Sequence, residues 1–342
     1  MAAICETGLA AQVLVADPDP ACRDEALRLA PGARAVADLA AMLDEGVDGV
    51  AIATPSALHS EQAVRALQAG TAVFCQKPLG RTAGEAGAVV AAAHEAGRLL
   101  AVDFSYRRTR AVEAIVERIR RGDIGRVFAV DLTFHNAYGP DKAWFYDPAQ
   151  SGGGCIMDLG VHLVDLLLWS LGFPEVHEVR TKRFAGGKRL TVAATPEDYA
   201  LATLSLGDDV EARLACSWNL SAGQDAVIEA RFHGTEGGLA MCNRAGSFYD
   251  FDAWHFRGTT AEQITSPPDA WGGRAASDWI RRLARDRGYD ASAGEIVAVA
   301  QVLDRMYGER PGQNHGSSQA RAHTGTEPHR KRFPDMAGIQ EC

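Results

Sequence analysis

The sequence of 342 residues lacks the features that mark disulfide-rich, nucleic-acid-binding and metal-binding proteins. Its seven cysteines are scattered and form no C-x-x-C pair, so we predict reduced thiols and no metal site. Asp and Glu number 44 against 35 for Lys and Arg, which gives a formal net charge of −9. That charge would repel phosphate backbones and anionic lipids, so we expect neither nucleic acid nor a membrane surface as a partner.

Segments that target or span a membrane are also scarce. The N-terminal residues MAAICET have neither the basic part nor the long apolar part of a signal peptide, so we expect a cytoplasmic protein. The longest apolar stretch, near Leu163–Leu171, is interrupted by Asp165 and is too short to cross a bilayer. What remains is an ordinary globular composition with 46% hydrophobic residues, at a length that favours two domains.

The first 105 residues alternate between short strand-like runs and longer helix-like segments. This alternation predicts an α/β domain with a doubly wound parallel sheet over residues 1–105. The predicted strands are Gln12–Ala16, Asp48–Thr54, Ala72–Cys75 and Arg98–Phe104, and the predicted helices are Pro20–Ala30, Leu58–Ala69 and Thr82–Ala96.

From residue 106 onward, a helix at Arg108–Arg121 is followed by strand-like runs with little helix between them, which predicts an α+β domain with a mostly antiparallel sheet over residues 106–308. Residues 309–342 are poor in apolar side chains, so we predict a disordered tail. The predicted strands of this second domain are Arg126–His135, Val176–Phe184, Asp198–Leu206, Val210–Asn219, Ala226–His233 and Gly238–Asn243, and its closing helices are Ala275–Arg287 and Ala293–Tyr307.

The segment Ser151–Asp165, SGGGCIMDLGVHLVD, carries the strongest chemical signal. Three glycines lead into a helix on which Asp158, His162 and Asp165 are spaced at i, i+4 and i+7, so we expect them on one face. Polar groups on a buried helix are costly unless they are hydrogen-bonded or functional, and histidine exchanges protons near neutral pH. The alternative is a structural polar stripe with a hydrogen-bonded histidine.

Three further signals lie where predicted parallel strands end, the edge at which such sheets bind ligands. Lys77 follows the strand AVFCQ and could stabilise a developing alkoxide, or be a solvated turn residue. Asp17 follows QVLVA and could bind the adenosine ribose, or form a turn or cap a helix within DPDP. Thr54 and Pro55, with His59 nearby, could contact the nicotinamide ribose, or cap the next helix.

Taken together, these residues resemble the glucose–fructose oxidoreductase, inositol dehydrogenase and rhizopine-catabolism family, Gfo/Idh/MocA, over roughly Ala11 to Tyr307. The motifs that carry the resemblance are VADPDP, ATPSALHSEQAVRALQAG, VFCQKPLG and SGGGCIMDLGVHLVDL. The resemblance implies a Rossmann domain followed by an α/β domain built on a large open sheet. It also implies NAD(H) or NADP(H), hydride transfer at a carbinol of a sugar, inositol or related polyol, and homodimers or homotetramers that pack through the open sheet.

By position, Lys77 matches the family's catalytic lysine, Asp158 and His162 match its aspartate–histidine pair, and His162 is the implied proton acceptor. Asp17 matches the ribose-binding acid, which favours NAD over NADP, and Gln76 replaces the usual Glu. The implied cofactor-binding residues are Asp17, Thr54, Pro55, His59, Gln76 and Lys77. The candidate substrate-binding residues are Lys77, Asp158 and His162, joined by Asn136, Lys142 and Trp144 from the loop HNAYGPDKAWFYD.

The glycine-rich loop G-x-G-x-x-G of the family should precede Asp17 by about 20 residues, which would place it before Met1. We therefore expect the first strand of the sheet and its glycine-rich loop to be missing, either because the start codon is assigned too late or because the chain is a truncated, impaired relative. The leading hypothesis is an NAD(P)-dependent oxidoreductase acting on a sugar or polyol. The alternatives are a non-catalytic nucleotide or sugar sensor and a glycoside hydrolase that uses NAD for transient oxidation.

Overall fold

The protein is described from a computed structural model that covers residues 1–191 and 195–308. The predicted disordered tail of residues 309–342 lies outside the described residues.

The first region alternates helices and strands, as predicted. Its strands are all parallel, with β3, β4 and β5 in one sheet and β1 and β2 in a separate two-stranded sheet. The elements in chain order are α1 (Ala2–Cys5), β1 (Leu14–Val15), α2 (Pro20–Leu29), β2 (Arg34–Ala35), α3 (Leu39–Asp44), β3 (Gly49–Ile52), α4 (Ser56–Gln68), β4 (Ala72–Cys75), α5 (Ala83–Ala96) and β5 (Leu100–Val102).

Local capping explains several of these boundaries. The Asp19 carboxylate accepts the Ala21 N–H at the start of α2, and the Thr82 hydroxyl accepts the Glu85 N–H at the start of α5. Gly97 ends α5 with φ at 60°, a left-handed conformation in which glycine carries no side-chain penalty. The predicted strand over Gln12–Ala16 is wrong in length, since only Leu14–Val15 pair as a strand.

The second region is built on one nine-stranded sheet in the order β14-β13-β12-β11-β6-β10-β9-β7-β8, in which only β6 and β10 are parallel. Its strands are β6 (Val127–Asn136), β7 (Val176–Ala185), β8 (Lys188–Leu190), β9 (Tyr199–Leu206), β10 (Val210–Ser217), β11 (Ala226–Gly234), β12 (Gly238–Asn243), β13 (Phe251–Arg257) and β14 (Thr260–Thr265). Its helices are α6 (Arg110–Arg121), α7 (Pro148–Ser151), α8 (Val161–Ser170), α9 (Arg274–Leu283) and α10 (Gly294–Tyr307), with a π turn at Ile156–Gly160.

Alternating burial along the strands confirms a sheet with one covered face. In β10, Ala212, Leu214 and Cys216 are buried while Glu211 and Arg213 are exposed. Strands β8, β13 and β14 were not predicted from the sequence. Of these, β13 has a recognisable alternating pattern, whereas β14 (TAEQIT) is an exposed edge strand without one.

Helix α9 belongs to the second region by sequence but covers the parallel sheet of the first. The Trp279 ring lies 5.7 Å from that of Phe74, centroid to centroid. A Cβ atom at Gly49 would lie 2.7 Å from both Trp279 and Leu283, so only glycine permits this approach. The two regions therefore share packed apolar surface.

Helix α8 is the central helix of the second region. The stretch Pro148–Ser170 reaches the length and mean hydropathy, 1.3, of a membrane-spanning helix, but 94% of its most apolar window is buried within the protein. A strongly buried stretch of this kind is typical of a core helix, and its apolar side chains pack beneath β6 and β10.

Candidate active site

The carboxyl ends of β3 and β4 face the start of the helix that carries Asp158, and a narrow cleft lies between them. Parallel strands present their carboxyl ends at the edge where ligands of such sheets bind. The cleft is lined by Thr54, Ser56, His59, Gln76, Lys77, Pro78, Trp144, Phe145, Ser151, Gly153, Gly154, Met157 and Asp158. Of the predicted site residues, Pro55, Asn136, Lys142, His162 and Asp17 do not line it.

Lys77 and Asp158, which are 81 residues apart in sequence, form an ion pair in this cleft. Lys77 Nζ donates to Asp158 Oδ1 at 2.9 Å and to its backbone oxygen at 3.0 Å, and both side chains are 14% exposed. The other carboxylate oxygen, Oδ2, accepts from Trp218 Nε1 at 2.9 Å. Because both oxygens already have donors, Asp158 acts here as an anchor that orients Lys77.

His162 lies in the first turn of α8 and is 8% exposed. Its ring packs edge-on against Tyr106, with centroids 4.8 Å apart, and near Phe134 at 6.2 Å. Burial, together with the nearby positive charge of Lys77, holds the pKa of His162 well below its ordinary value. The imidazole is therefore neutral at physiological pH and has one bare nitrogen that can accept a proton.

Asp165, which we expected on one helix face with Asp158 and His162, is bound by a different cation. It is 1% exposed, and its carboxylate accepts hydrogen bonds from both Nε and Nη2 of Arg107, the shortest at 2.6 Å. Arg107 also donates to Glu295 at 2.9 Å. The helix is not α throughout, because a π turn at Ile156–Gly160 separates Asp158 from the α-helix that begins at Val161. The ion pair with Arg107 gives Asp165 a structural role.

The glycine run before Asp158 is shaped by Glu197, which is fully buried. Glu197 Oε1 accepts the N–H groups of Gly154 at 3.1 Å and Ile156 at 2.9 Å, and the hydroxyl of Tyr307 at 2.8 Å. Burial raises the pKa of Glu197 above its ordinary value. A Cβ atom at Gly154 would lie 2.1 Å from the Glu197 backbone oxygen, so glycine is required. This contact fixes the start of the helix that carries Asp158.

Two predicted cofactor-binding residues, Thr54 and His59, lie on the opposite wall of the cleft. His59 Nε2 is 2.6 Å from the Thr54 backbone oxygen, and Nδ1 is 2.7 Å from the Pro78 backbone oxygen. The Thr54 hydroxyl donates to Gln62 Oε1 at 2.8 Å. Pro55 is the residue that precedes α4, so it shapes the turn rather than lining the cleft.

Gln76 and Asp17, both predicted to bind the cofactor, each make a hydrogen bond within the protein. Gln76 Nε2 donates to Asp103 Oδ2 at 2.9 Å, so the amide that replaces the usual Glu has a carboxylate beside it. Asp17 Oδ1 accepts the Asp19 N–H at 2.8 Å, which is the turn interaction left open as its alternative role. Binding of ribose by Asp17 stays a prediction.

Among the predicted substrate-binding residues of the loop, Trp144 lines the cleft and stacks on Phe145 with ring centroids 3.8 Å apart. Asn136 ends β6, and Lys142 precedes the short 3-10 helix Ala143–Tyr146; neither lines the cleft. On the other side of Asp158, Tyr146 lies 5.5 Å from Trp218, between ring centroids. Trp144 and Phe145 thus give the cleft an apolar wall.

Sequence reasoning missed Trp218, Glu197 and Asp103. Trp218 directly follows β10, and a tryptophan near the end of a predicted strand could have been chosen as a candidate site residue from the sequence. Glu197 and Asp103 become recognisable only through partners 43 and 27 residues away in sequence, and neither lies in a motif.

The donor set of the cleft fits the nicotinamide end of a dinucleotide. The Lys77 ammonium and the Ser56 hydroxyl lie just after strand ends and can donate to ribose or carboxamide oxygens, whereas the Thr54 hydroxyl, which donates to Gln62, can accept from a ribose hydroxyl. The described residues supply no G-x-G-x-x-G turn for the pyrophosphate, and the residues before β1 form α1 and a turn instead. Within residues 1–191 and 195–308 no cluster of three or more metal-ligating side chains occurs.

Comparison with known families gives two matches. A model described as an oxidoreductase family with an NAD-binding Rossmann fold matches residues 3–104. A model of the GFO/IDH/MocA C-terminal domain matches residues 112–240. Together the two models cover well over half of the chain.

Three curated relatives act on sugars by name. The 1,5-anhydro-D-fructose reductase of Ensifer adhaerens is 32% identical over 198 residues, 57% of this chain and 57% of the relative. The D-apiose dehydrogenase of Paraburkholderia graminis is 31% identical over 237 residues, 68% of this chain and 60% of the relative. The levoglucosan dehydrogenase of Pseudarthrobacter phenanthrenivorans is 26% identical over 250 residues, 67% and 64% respectively. The chain thus spans less than two thirds of these relatives.

Solved structures agree over a larger share of the chain. GenD2 from gentamicin A biosynthesis, in complex with NAD, superposes with a TM-score of 0.72 at 26% identity and covers 86% of each chain. Levoglucosan dehydrogenase in complex with NADH gives a TM-score of 0.72 at 22% identity, covering 86% of this chain and 87% of that one. The second likeness establishes the shared fold alone.

Proposed function

The chain belongs to the Gfo/Idh/MocA family of oxidoreductases, and from that premise we propose that it transfers hydride between a nicotinamide cofactor and a hydroxyl-bearing carbon of a sugar or related polyol. The observation that carries the proposal is the Lys77–Asp158 ion pair at the carboxyl end of β4. The neutral histidine, His162, begins the next helical turn after Asp158. A proton acceptor and a fixed cation near one cleft are what alcohol oxidation requires.

In the oxidative direction, His162 takes the proton of the substrate hydroxyl on its bare nitrogen. Lys77 donates a hydrogen bond to the same oxygen and stabilises the negative charge that develops there. Asp158 holds Lys77 through Oδ1, while Trp218 holds Asp158 through Oδ2. When bound, the cofactor would accept the hydride at its nicotinamide ring. Reduction of a ketone would use the same groups in reverse.

The cofactor is proposed to be NAD, with NADP as the alternative. Thr54, His59 and Gln76 would form the nicotinamide end of the site, with Lys77 between cofactor and substrate. Asp17 would accept the ribose hydroxyls and repel a 2′-phosphate, which is why NAD is favoured.

The substrate is proposed to be a small sugar or polyol, in line with the names of the relatives. Trp144 would contact its carbon face from the wall of the cleft. Lys142 would contact it only if the loop after β6 closes further over the cleft, and Asn136, the last residue of β6, would contact it only through a substrate that reaches beyond the cleft, since neither lines it as described.

A cytoplasmic location and a homodimer or homotetramer complete the proposal. The thiols of Cys5, Cys75, Cys155, Cys216 and Cys242 are free, which fits a reducing compartment. The face of the large sheet that carries Arg213 and the 44%-exposed Phe128 is a candidate surface for self-association. Cell fractionation and light scattering would test these two points.

The function is tested by titrating the purified chain with NAD and NADP through intrinsic tryptophan fluorescence, then assaying sugar-dependent NAD reduction. We expect saturable NAD binding and reduction with at least one cyclic sugar or polyol. Binding without reduction by any sugar would favour the sensor. Sugar release from glycosides without net reduction would favour the NAD-dependent hydrolase. Failure to bind either cofactor would contradict the proposal.

A further inference from the structure

His59 is buried in the wall of the cleft, in the first turn of α4, with 1% of its surface exposed. Its two ring nitrogens face two different turns. Nε2 lies 2.6 Å from the backbone oxygen of Thr54, just after β3, and Nδ1 lies 2.7 Å from the backbone oxygen of Pro78, just after Lys77. One imidazole therefore spans the two strand-end turns that form this wall.

Each ring nitrogen faces a carbonyl oxygen, which can only accept hydrogen bonds. A neutral imidazole carries a single N–H, so it would satisfy one carbonyl and point a bare lone pair at the other. Both distances lie at or below the range of about 2.7–2.9 Å for charge-assisted bonds, and below the usual N–H to oxygen distance of about 2.9–3.0 Å. The geometry is that of two donated bonds.

We propose that His59 carries a proton on each ring nitrogen at neutral pH and acts as a cationic clamp between the Thr54 and Pro78 turns. The consequence is positional: by holding the carbonyl of Pro78, the ring fixes the residue that follows Lys77. His59 is thus a positioning residue. The proposed protonation is argued from the two ring contacts, whereas the effect of His59 on cofactor binding rests on the proposed function.

Several charges around the clamp influence its proton. Burial and the ammonium of Lys77, which lines the same cleft, oppose a second positive charge. Two carbonyl dipoles aimed at the ring favour the protonated imidazole, and so does the carboxylate of Asp158 across the cleft. The titratable and charged residues on the elements packed around His59 are Glu61 and Arg65 on α4, Lys77 and Arg81 after β4, Glu85, His94 and Glu95 on α5, Asp147 before α7, and Asp158 across the cleft.

The test is nitrogen NMR of the full chain labelled with ¹⁵N at its ten histidines, in which a protonated and a bare ring nitrogen resonate far apart. His59 is assigned from the signal lost in His59→Gln, or by elimination from variants of the other histidines if that variant does not fold. We expect both ring nitrogens of His59 to be protonated at neutral pH. His162 serves as the internal reference, with one protonated and one bare nitrogen. A bare nitrogen on His59 at neutral pH would overturn the proposal.

The clamp itself is tested by hydrogen exchange in His59→Gln, whose single amide cannot bond to both carbonyls. We expect faster exchange in both turns, residues 53–56 and 76–80, and about tenfold weaker NAD binding. The matched control is His94→Gln, at an exposed ring that packs on Tyr289, which should change neither measurement. Unchanged exchange in both turns would overturn the clamp, whereas faster exchange in a chain that binds no NAD would contradict only the proposed function.

Discussion

The first 47 residues and the region around α8 are packed very differently. Helices α1, α2 and α3 contain no buried residue, and Val15 and Ala30 are the buried hydrophobic side chains of this segment. In α8, by contrast, nine of the ten residues are buried. The segment that would hold the adenosine end of a cofactor is thus loosely packed, whereas the helix that follows Asp158 is set in the core.

We infer from this contrast that the catalytic groups and the adenosine end of the cofactor are held by separate parts of the chain. Lys77, Asp158 and His162 are held by buried partners, so their geometry resists local opening. Few buried contacts hold β1 and β2, and such segments open at low free-energy cost. Substitutions in the two parts should therefore affect different kinetic quantities.

The largest expected effect is that of Lys77→Met on turnover. Removing the cation leaves the developing oxyanion unstabilised and frees Asp158, so we expect kcat to fall about 10²–10³-fold. NAD affinity should change less than about threefold, because the adenosine end is untouched. Steady-state kinetics and a fluorescence titration measure the two quantities. Equal losses in kcat and NAD affinity would contradict the separation of the two parts.

Trp218→Phe should have the next largest effect. The change keeps an aromatic ring but removes the Nε1 donor to Asp158, and a hydrogen bond to a charged group contributes about 1.5–3 kcal/mol. We expect kcat to fall about 10- to 100-fold with KM little changed. Trp254→Phe, on the half-exposed face of β13, is the matched control and should keep full activity. A kcat of Trp218→Phe within twofold of wild type would show that the hydrogen bond from Trp218 to Asp158 does not contribute to turnover.

A smaller effect should appear in the pH dependence of stability through His162. Its pKa is depressed in the folded chain, so the unfolded state binds an extra proton below about pH 6.5. The free energy of unfolding therefore has its full value above pH 6.5 and falls as pH decreases below it, with a slope of up to about 1.4 kcal/mol per pH unit. Urea unfolding of His162→Gln should lack this slope, while His94→Gln should keep it. An identical slope in His162→Gln would contradict the depressed pKa.

Asp17→Ala should have the smallest effect and should act on cofactor choice alone. Loss of the carboxylate should lower the NAD preference over NADP about threefold to tenfold and leave kcat unchanged. Asp19→Ala is the matched control, because it removes the cap of α2 at a cost of about 1 kcal/mol without altering a ribose contact. An unchanged ratio of affinities in Asp17→Ala would leave Asp17 as the turn residue whose bond to Asp19 is seen.

The sequence predicted most of the architecture because periodic patterns are local. Strand and helix alternation located β4 and α5 within one residue, and strand-end reasoning identified Lys77. Elements of two exposed residues, such as β2, have no pattern to find. The π turn before α8 was also hidden, since its backbone depends on the distant Glu197, and so was the pairing of Asp165 with Arg107, which is 58 residues away. Long-range partners such as Glu197 and Asp103 lie beyond local patterns.

The measurement that tests the central claim most directly is the pH dependence of sugar oxidation by wild type and His162→Gln. Because the pKa of His162 lies well below 6.5, wild-type kcat/KM should show no acidic limb near that pH. His162→Gln should lose about 10²–10⁴-fold in kcat while it binds NAD as well as wild type. Sugar oxidation by His162→Gln within threefold of wild type, at saturating NAD, would contradict the account.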